Sequence, residues 1–513
     1  MESIRHSPRR HDLSGSLNRW PSRAASQARA PPPPTPPHPI KLMFLRQFFD
    51  PHLAQYAYLI GCQRTGEAIM IDPLRDVDQY RAVAAENDLR VSAVAETHIH
   101  ADFVSGAAEF AVDPSVKVLV SAEGGPDWQS EWAVGRDNAV LLRNGDIFWV
   151  GNLEFRAVHT PGHTPEHMTY LVTDHGGGAT EPMAAFTGDF IFVGDVGRPD
   201  LLESAAGLAG SMEPGARRLY HSLREFAALP DWLQILPAHG AGSACGKALG
   251  AVPGSTLGYE KRFNPALHQA LTQSEDDFVA SILDGQPEPP AYFAHMKHVN
   301  KVGPAVTGPP STPPVLTLAE VMALSADPGV VVLDTRDDRR AWLASHLRGS
   351  LHTPPAKFSD FAGSWLRPDD GVILLVDDLA RAETFVRQLL RIGFDLVIGV
   401  APLTVLAEAG SAQVSTPALL FSELPSLLAS PTPPHVLDVR RAVEFRSGHL
   451  QGAQHIAHTR LRLRLNEVPM DKPIAVHCAT GVRAVGAASV LERAGHQVLC
   501  VNDAWSHCPA TLR

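Results

Sequence analysis

At 513 residues the chain exceeds what one hydrophobic core supports, and about 150 residues per domain predicts three or four units. Hydrophobic residues make up 44% and charged residues 19%, an ordinary globular balance. No apolar run approaches the roughly 20 residues that span a bilayer, so no membrane partner is expected. The formal charge of -11 gives no electrostatic footprint for nucleic acid, and an anionic ligand must be held by local sites. Cys62, Cys245, Cys478, Cys500 and Cys508 are scattered and odd in number. That argues against a disulfide framework and for a reducing, cytoplasmic compartment in which a thiol can work.

Residues 1–42 carry Arg5, Arg9, Arg10, Arg19, Arg23 and Arg29 against only Glu2 and Asp12, and end in the Pro31 to Pro39 tract. With no core-forming periodicity this leader is expected to be disordered. An upstream extension and a mitochondrial transit peptide both fit its composition, although it lacks an amphipathic helix that would favour targeting. An ordered unit over 43–303 begins with two apolar runs, Ala57 to Ile60 and Ala68 to Asp72, around a Gly-containing turn, which predicts a β-hairpin. A helix over Val77 to Leu89 and a strand over Val91 to Ala95 follow. Alternation predicts strands at Ile147 to Val150, Leu153 to Val158 and Met168 to Val172, and Ala184 to Phe186 leads into another loop. Pro and Gly crowd residues 304–314, predicting a linker.

From residue 315 onward the chain repeats itself. Leu333-Asp334-Thr335-Arg336 with His346-Leu347-Arg348-Gly349 is echoed by Leu437-Asp438-Val439-Arg440 with His449-Leu450-Gln451-Gly452. In each copy an apolar strand, Val372 to Val376 or Ile474 to Val476, runs into a loop and a helix-like segment, the βα pattern of a parallel sheet. A domain-sized offset means duplication rather than a solenoid, with units over 315–410 and 415–513.

The strand ending at Ala95 delivers Thr97-His98-Ile99-His100-Ala101-Asp102, followed by Phe103. Two histidines and an aspartate this close after an apolar strand have little structural use and point to a metal. A histidine in place of Phe103 would complete a motif for two zinc ions sharing a hydrolytic water; Phe103 leaves the second position poor and makes the wall apolar. His159-Thr160-Pro161-Gly162-His163, Thr187-Gly188-Asp189 and Pro237-Ala238-His239-Gly240 follow in order. Through these motifs, residues 43–303 resemble the persulfide dioxygenase branch of the metallo-β-lactamase superfamily, whose hydrolytic relative is glyoxalase II. The resemblance implies an αββα sandwich in which His98, His163 and Asp189 hold one Fe(II) per chain. A two-histidine, one-carboxylate face leaves positions open for a substrate and O2, and ferrous iron can pass electrons to O2 where closed-shell zinc cannot.

His100, Asp102 and His239 are expected to orient those ligands from behind; a dinuclear zinc site using Asp102, Asp189 and His239 is the competing arrangement. His159 and His167 are expected to hydrogen-bond within their loops. Arg198 is either a clamp for a carboxylate or phosphate of the substrate or a salt-bridge partner of Asp195 or Asp200. Cys245 is either a relay for sulfane sulfur or a buried inert thiol.

The repeat resembles two rhodanese domains through the Asp-x-Arg and His-Leu-x-Gly signatures of each copy. The expected fold class is therefore α/β throughout: a metallo-β-lactamase sandwich plus two rhodanese-like α/β domains. Only the second copy has a nucleophile. Cys478-Ala479-Thr480-Gly481-Val482-Arg483 leads from strand to helix, where backbone N–H groups and Arg483 form an anion cradle that steadies Cys478 as thiolate or persulfide. The loop is one residue shorter than the loop that wraps a phosphate in Cys-based phosphatases. In the first copy Asp377 takes the equivalent position, and a carboxylate cannot carry sulfane sulfur, so that copy is expected to be structural or to dock a partner. The end Asn502-Asp503-Ala504-Trp505 lacks the usual Gly pair.

The resemblance as a whole implies oxidation of a small thiol persulfide (of glutathione, coenzyme A or a similar carrier) by O2 to sulfite, then sulfur transfer from Cys478 to sulfite. A homo-oligomer is expected. The alternative is a zinc thioester hydrolase of the glyoxalase II kind fused to a sulfur carrier.

Overall fold

The computed structural model describes residues 43–204, 210–247, 249–286 and 288–513; the expectation of a disordered leader falls on residues outside these. The expected hairpin forms, with Gln55–Cys62 antiparallel to Glu67–Ile71 and Tyr58 opposite Ile71. Both strands are apolar almost throughout because both faces of their sheet are covered. Met43–Asp50 adds an antiparallel edge, while Arg90–Ala95, Lys117–Ser121 and Ala139–Leu142 extend the other side in parallel to give six strands.

A second six-stranded sheet runs antiparallel through Ile147–Val150, Leu153–His159, Met168–Asp174 and Ala184–Gly188. Gln234–Pro237 then joins in parallel and Ser255–Thr256 closes the edge. Ile60, Ile71, Ala95 and Leu119 of the first sheet pack against Phe155, Met168, Tyr170 and Phe186 of the second, forming the core between them. Helices Asp78–Glu86 and Ala107–Ala111 cover the outer face of one sheet and Met212–Phe226 that of the other, an αββα sandwich. The first of these helices stops short of the expected Leu89. Asp88 turns left-handed at φ 55°, and the Leu89 N–H returns to the Ala84 carbonyl.

Val330–Asp334, Leu351–His352, Gly371–Val376 and Val397–Pro402 form a parallel sheet in the order second, first, third, fourth. His435–Asp438, Gln454–His455, Ile474–His477 and Val498–Val501 repeat that order, with Ala418–Leu419 added at the edge. The Pro- and Gly-rich segment before the first copy is not a free tether. Glu109 accepts hydrogen bonds from Thr307 N (2.7 Å) and Gly308 N (3.1 Å), and Arg75 donates to the Ala305 carbonyl at 2.7 Å. A buried carboxylate and a buried guanidinium, both needing partners, take them from this backbone.

Candidate functional site

The two sheets bring their loops together at one edge. There, one ligand atom from each of His98, His163 and Asp189 lies within 4.8 Å of the others, and all three residues are buried. Asp189 Oδ2 is 3.4 Å from His163 Nε2 and 3.9 Å from His98 Nε2, while Oδ1 is 3.4 Å from His239 Nε2. Neither Asp189 oxygen has a hydrogen-bond partner. Buried polar atoms are normally satisfied, so lone pairs converging with nothing between them fit a cation.

The tautomers agree. His163 Nδ1 lies 3.0 Å from the Arg198 carbonyl, which can only accept, so Nδ1 carries the hydrogen and Nε2 turns its lone pair inward. His239 Nδ1 makes the same contact with the Ala54 carbonyl at 3.1 Å. Burial alone would lower this histidine, but the Asp189 and Asp102 carboxylates around it raise it well above its usual range, so its Nε2 is protonated toward them rather than presenting a lone pair. For His98 the partner is Thr97 Oγ1 at 3.0 Å, and that hydroxyl donates its own hydrogen to Asp72 Oδ2 at 2.8 Å. Thr97 therefore accepts from His98 Nδ1, again leaving Nε2 free. Burial first, then neighbouring imidazoles, pushes His98 well below its usual range, and burial also lowers His163. Both are then neutral at pH 7, the form that ligates a metal.

Asp72 is a residue that the motif did not reveal. It holds both the Thr97 N–H (2.7 Å) and the Thr97 hydroxyl, and adopts φ 50°, a strained conformation for a non-glycine residue. Its only sequence signal was its seat between a strand end and Pro73. Glu166 accepts from Ile99 N at 2.9 Å, and Asn300 bridges the His100 and Phe103 carbonyls at 2.8 and 2.7 Å. Gly188, at φ 49°, permits the closest approach: a Cβ there would sit 2.5 Å from Thr97 Oγ1 and 2.6 Å from His167 Nε2. His167 accepts from the Asp189 N–H at 3.0 Å and contacts Thr160 Oγ1 at 2.8 Å, while His159 reaches the Pro165 carbonyl.

The remaining predicted residues divide. Asp102 Oδ2 is 3.2 Å from His239 Nε2, and these two with Cys245 make a second buried group beside Asp189. Burial, then the Asp189 carboxylate, pushes the Cys245 thiol up to about 12, so it is protonated at neutral pH. His100 turns away from the cluster: its ring packs 4.2 Å from that of His98 and 4.3 Å from that of Phe103, and its Nε2 lies 3.2 Å from both Asp72 and Glu96. Burial alone would lower His100, but those two carboxylates raise it well above its usual range. Arg198 is 1% exposed and bound bidentately to Asp200 (2.8 and 2.5 Å), with Nη1 on the Ala244 carbonyl. An anion clamp would have to break that pair; what Arg198 visibly contributes is its carbonyl to His163.

The second predicted site lies on the last parallel sheet. Cys478 follows strand Ile474–His477, and its Sγ accepts from Gly481 N at 3.2 Å and Ala484 N at 3.3 Å, at the start of helix Val482–Arg493. Arg483 stands beside that loop but pairs bidentately with Glu444 at 2.7 and 2.8 Å. Trp505 of the atypical C-terminal stretch stacks on His477 and lies under Arg440 at 4.0 Å. In the first copy Asp377 pairs with Arg381 at 2.9 Å in solvent.

Residues 50–239 match the metallo-beta-lactamase superfamily and residues 421–507 the rhodanese-like domain. The chain belongs to the metallo-beta-lactamase superfamily and carries a rhodanese-like domain near its C-terminal end. Over 266 residues it is 33% identical to a probable metallo-hydrolase of Burkholderia pseudomallei (strain 1710b), covering 46% of this chain and 84% of that one. It is 30% identical over 240 residues to the mitochondrial persulfide dioxygenase ETHE1 of Bos taurus, covering 46% of this chain and 79% of the relative. The crystal structure of a metallo-beta-lactamase from Staphylococcus aureus subsp. aureus COL aligns with a TM-score of 0.61 and 38% identity, over 70% of this chain and 99% of that one.

Proposed function

We propose that the chain oxidises a small thiol persulfide with O2 and passes sulfur to the sulfite formed. The observation that carries this reading is the buried His98, His163 and Asp189 face, with its unpartnered carboxylate oxygens and with Phe103 where a further histidine would recruit a second zinc. Bound there, ferrous iron would supply the redox partner that O2 requires. The chain's own residues prepare that face: Asp72 and Thr97 fix the His98 ring, the Arg198 carbonyl fixes His163, and His167 holds the Asp189 backbone. Overall, RSSH with O2 and water gives RSH, sulfite and two protons; the outer sulfur is oxidised as O2 is reduced.

Cys478 would take sulfane sulfur from a second persulfide, releasing that carrier thiol. Sulfite then attacks the outer sulfur of the Cys478 persulfide, the S–S bond breaks, and thiosulfate leaves with the Cys478 thiolate restored. The Gly481 and Ala484 N–H groups stabilise that thiolate. Keeping producer and consumer on one chain raises the local sulfite concentration.

One observation favours a second reading, a zinc thioester hydrolase: Asp102 and His239 sit against Asp189 as ligands of a second ion would. Metal analysis beside an oxygen electrode separates the two. One iron per chain with persulfide-dependent O2 uptake is expected; two zinc ions with thioester hydrolysis under anaerobic conditions would overturn the proposal.

A further inference from the structure

The two C-terminal copies meet along helix Val482–Arg493, whose start carries the Cys478 loop. Arg493 donates to the Gly349 and Val330 carbonyls at 2.9 and 3.0 Å, and Ser489 Oγ accepts from His352 N at 3.1 Å. At the other end of that helix the first copy reaches across with one side chain. Arg339 opens helix Arg339–Ala344, behind the Asp338 cap. Its Nε donates to Asn502 Oδ1 at 2.7 Å and its Nη2 to the Thr480 carbonyl at 3.3 Å. Both acceptors belong to the second copy, and no carboxylate lies within ion-pair distance of Arg339 among the described residues. Arg483, by contrast, is committed to Glu444.

The Thr480 carbonyl is one end of a peptide whose other end holds the Cys478 sulfur. The peptide joining Thr480 to Gly481 is planar, with its oxygen and hydrogen on opposite sides. The oxygen faces Arg339, and the Gly481 N–H faces Cys478 Sγ at 3.2 Å. A guanidinium on the carbonyl fixes the direction of that N–H and polarises it, which strengthens its bond to sulfur. The neighbouring Ala479 carbonyl is held as well, by the Trp505 N–H at 2.8 Å. Gly481 adopts φ 88°, and a Cβ there would stand 2.4 Å from Asn502 Oδ1. Glycine thus permits the close approach that brings Asn502 to where it accepts from Arg339. Asn502 and Trp505, from the stretch that lacks the usual Gly pair, both serve this loop.

We propose that Arg339 is a positioning residue for sulfur transfer: the first copy supplies the cation that aims the Gly481 N–H at Cys478 Sγ. This rests on the reading of Cys478 as the sulfur-carrying thiol, which it deepens. When an acceptor attacks the outer sulfur of the Cys478 persulfide, the electron pair of the S–S bond returns to Sγ. An N–H already aimed there stabilises the thiolate as it forms. Arg339 acts through the peptide and not on the sulfur itself.

The test follows thiocyanate formation from thiosulfate and cyanide by the full-length chain, a reaction that loads Cys478 with release of sulfite and unloads it to cyanide. Wild type, Arg339→Met, Asn502→Ala and the double variant are compared, with thermal midpoints measured to confirm folding. Arg339→Met is expected to lower kcat about fivefold with KM for thiosulfate unchanged. Asn502→Ala should lose about twofold, and the double variant no more than Arg339→Met alone, because both act through one guanidinium. Unchanged kcat in either single variant, or losses that add in the double variant, would overturn the inference. So would a rise in KM at constant kcat, which would make Arg339 an anion-binding residue. A wild type that transfers sulfur beside an equally active Arg339→Met would sink the inference and leave the reading of Cys478 standing. A wild type that makes no thiocyanate would sink that reading and the inference with it.

Discussion

The two copies of the C-terminal repeat share a strand order and part company at the end of their third strands. In the second, Cys478 sits under two backbone N–H groups, and its helix Val482–Arg493 is packed inside. In the first, Asp377 stands in solvent, and the corresponding helix Ala382–Arg391 is turned to another use. Arg387 pairs with Asp76 and Asp78, and Arg391 with Asp50 and Asp76, all on the metal-binding sandwich. The Arg391 carbonyl accepts from Val104 N at 2.7 Å, one residue beyond Phe103. One scaffold thus holds a thiol under backbone N–H groups in one copy and, with an aspartate in its place, braces the loop that follows His98 in the other.

The largest test of this contrast is chemical. Cys478→Ser is expected to reduce thiosulfate formation to background while O2 uptake continues and sulfite accumulates, measured by ion chromatography. Asp377→Cys should not restore it, because residues 377–381 all stand exposed, whereas Cys478 and Gly481 are buried. Rescue by Asp377→Cys would mean the copies differ by one side chain only.

Next in size is the brace. Asp76 is fully buried and receives both arginines, so Asp76→Ala leaves two guanidinium groups short of a partner. Losing one member of a buried ion network costs about 3–5 kcal/mol, read as a lower urea midpoint. Iron affinity should fall with it if the brace positions the His98 loop. An unchanged midpoint would make the first copy a passive passenger.

Thr97→Val acts at a single ring. It removes the acceptor for His98 Nδ1–H and frees the tautomer, and the expected loss is about 10–100-fold in iron affinity. Stability should fall by about 1–3 kcal/mol, because the buried Asp72 carboxylate loses its hydroxyl donor. Equal affinity would show that Asp72 and Thr97 serve the fold rather than the ligand.

The His98, His163 and Asp189 set was legible because each follows a strand in a short motif, and Cys478 because its loop joins strand to helix. Asp72 was not, since its role depends on a left-handed turn 25 residues before its partner Thr97. Arg391 was less legible still: its partner Asp50 lies 341 residues away, and no local pattern marks a helix that has changed function. The direction of His100 was equally hidden, because the acids that draw it, Asp72 and Glu96, become neighbours only when parallel strands align. The Pro- and Gly-rich composition of residues 304–314 carries no sign of Glu109, which binds that backbone.

The smallest effect compares the Arg pairs of the two copies. Asp377 and Arg381 are both about half exposed, and breaking such a pair costs close to nothing. Glu444 is less exposed and holds Arg483; burial would raise its carboxyl, but the Arg483 hydrogen bonds and charge bring it down to about 2. A carboxyl depressed on folding adds stability above its unfolded value of 4.5 and loses it as pH falls toward 2. Glu444→Gln should therefore lower the thermal midpoint at pH 7 by about 2 °C, after discounting for solvent screening. That gap should narrow between pH 4.5 and pH 2, whereas Asp377→Asn should show no gap at pH 7. A gap for Glu444→Gln that persisted at pH 2 would mean that the carboxylate acts through packing rather than charge, and the two copies would then differ in shape alone.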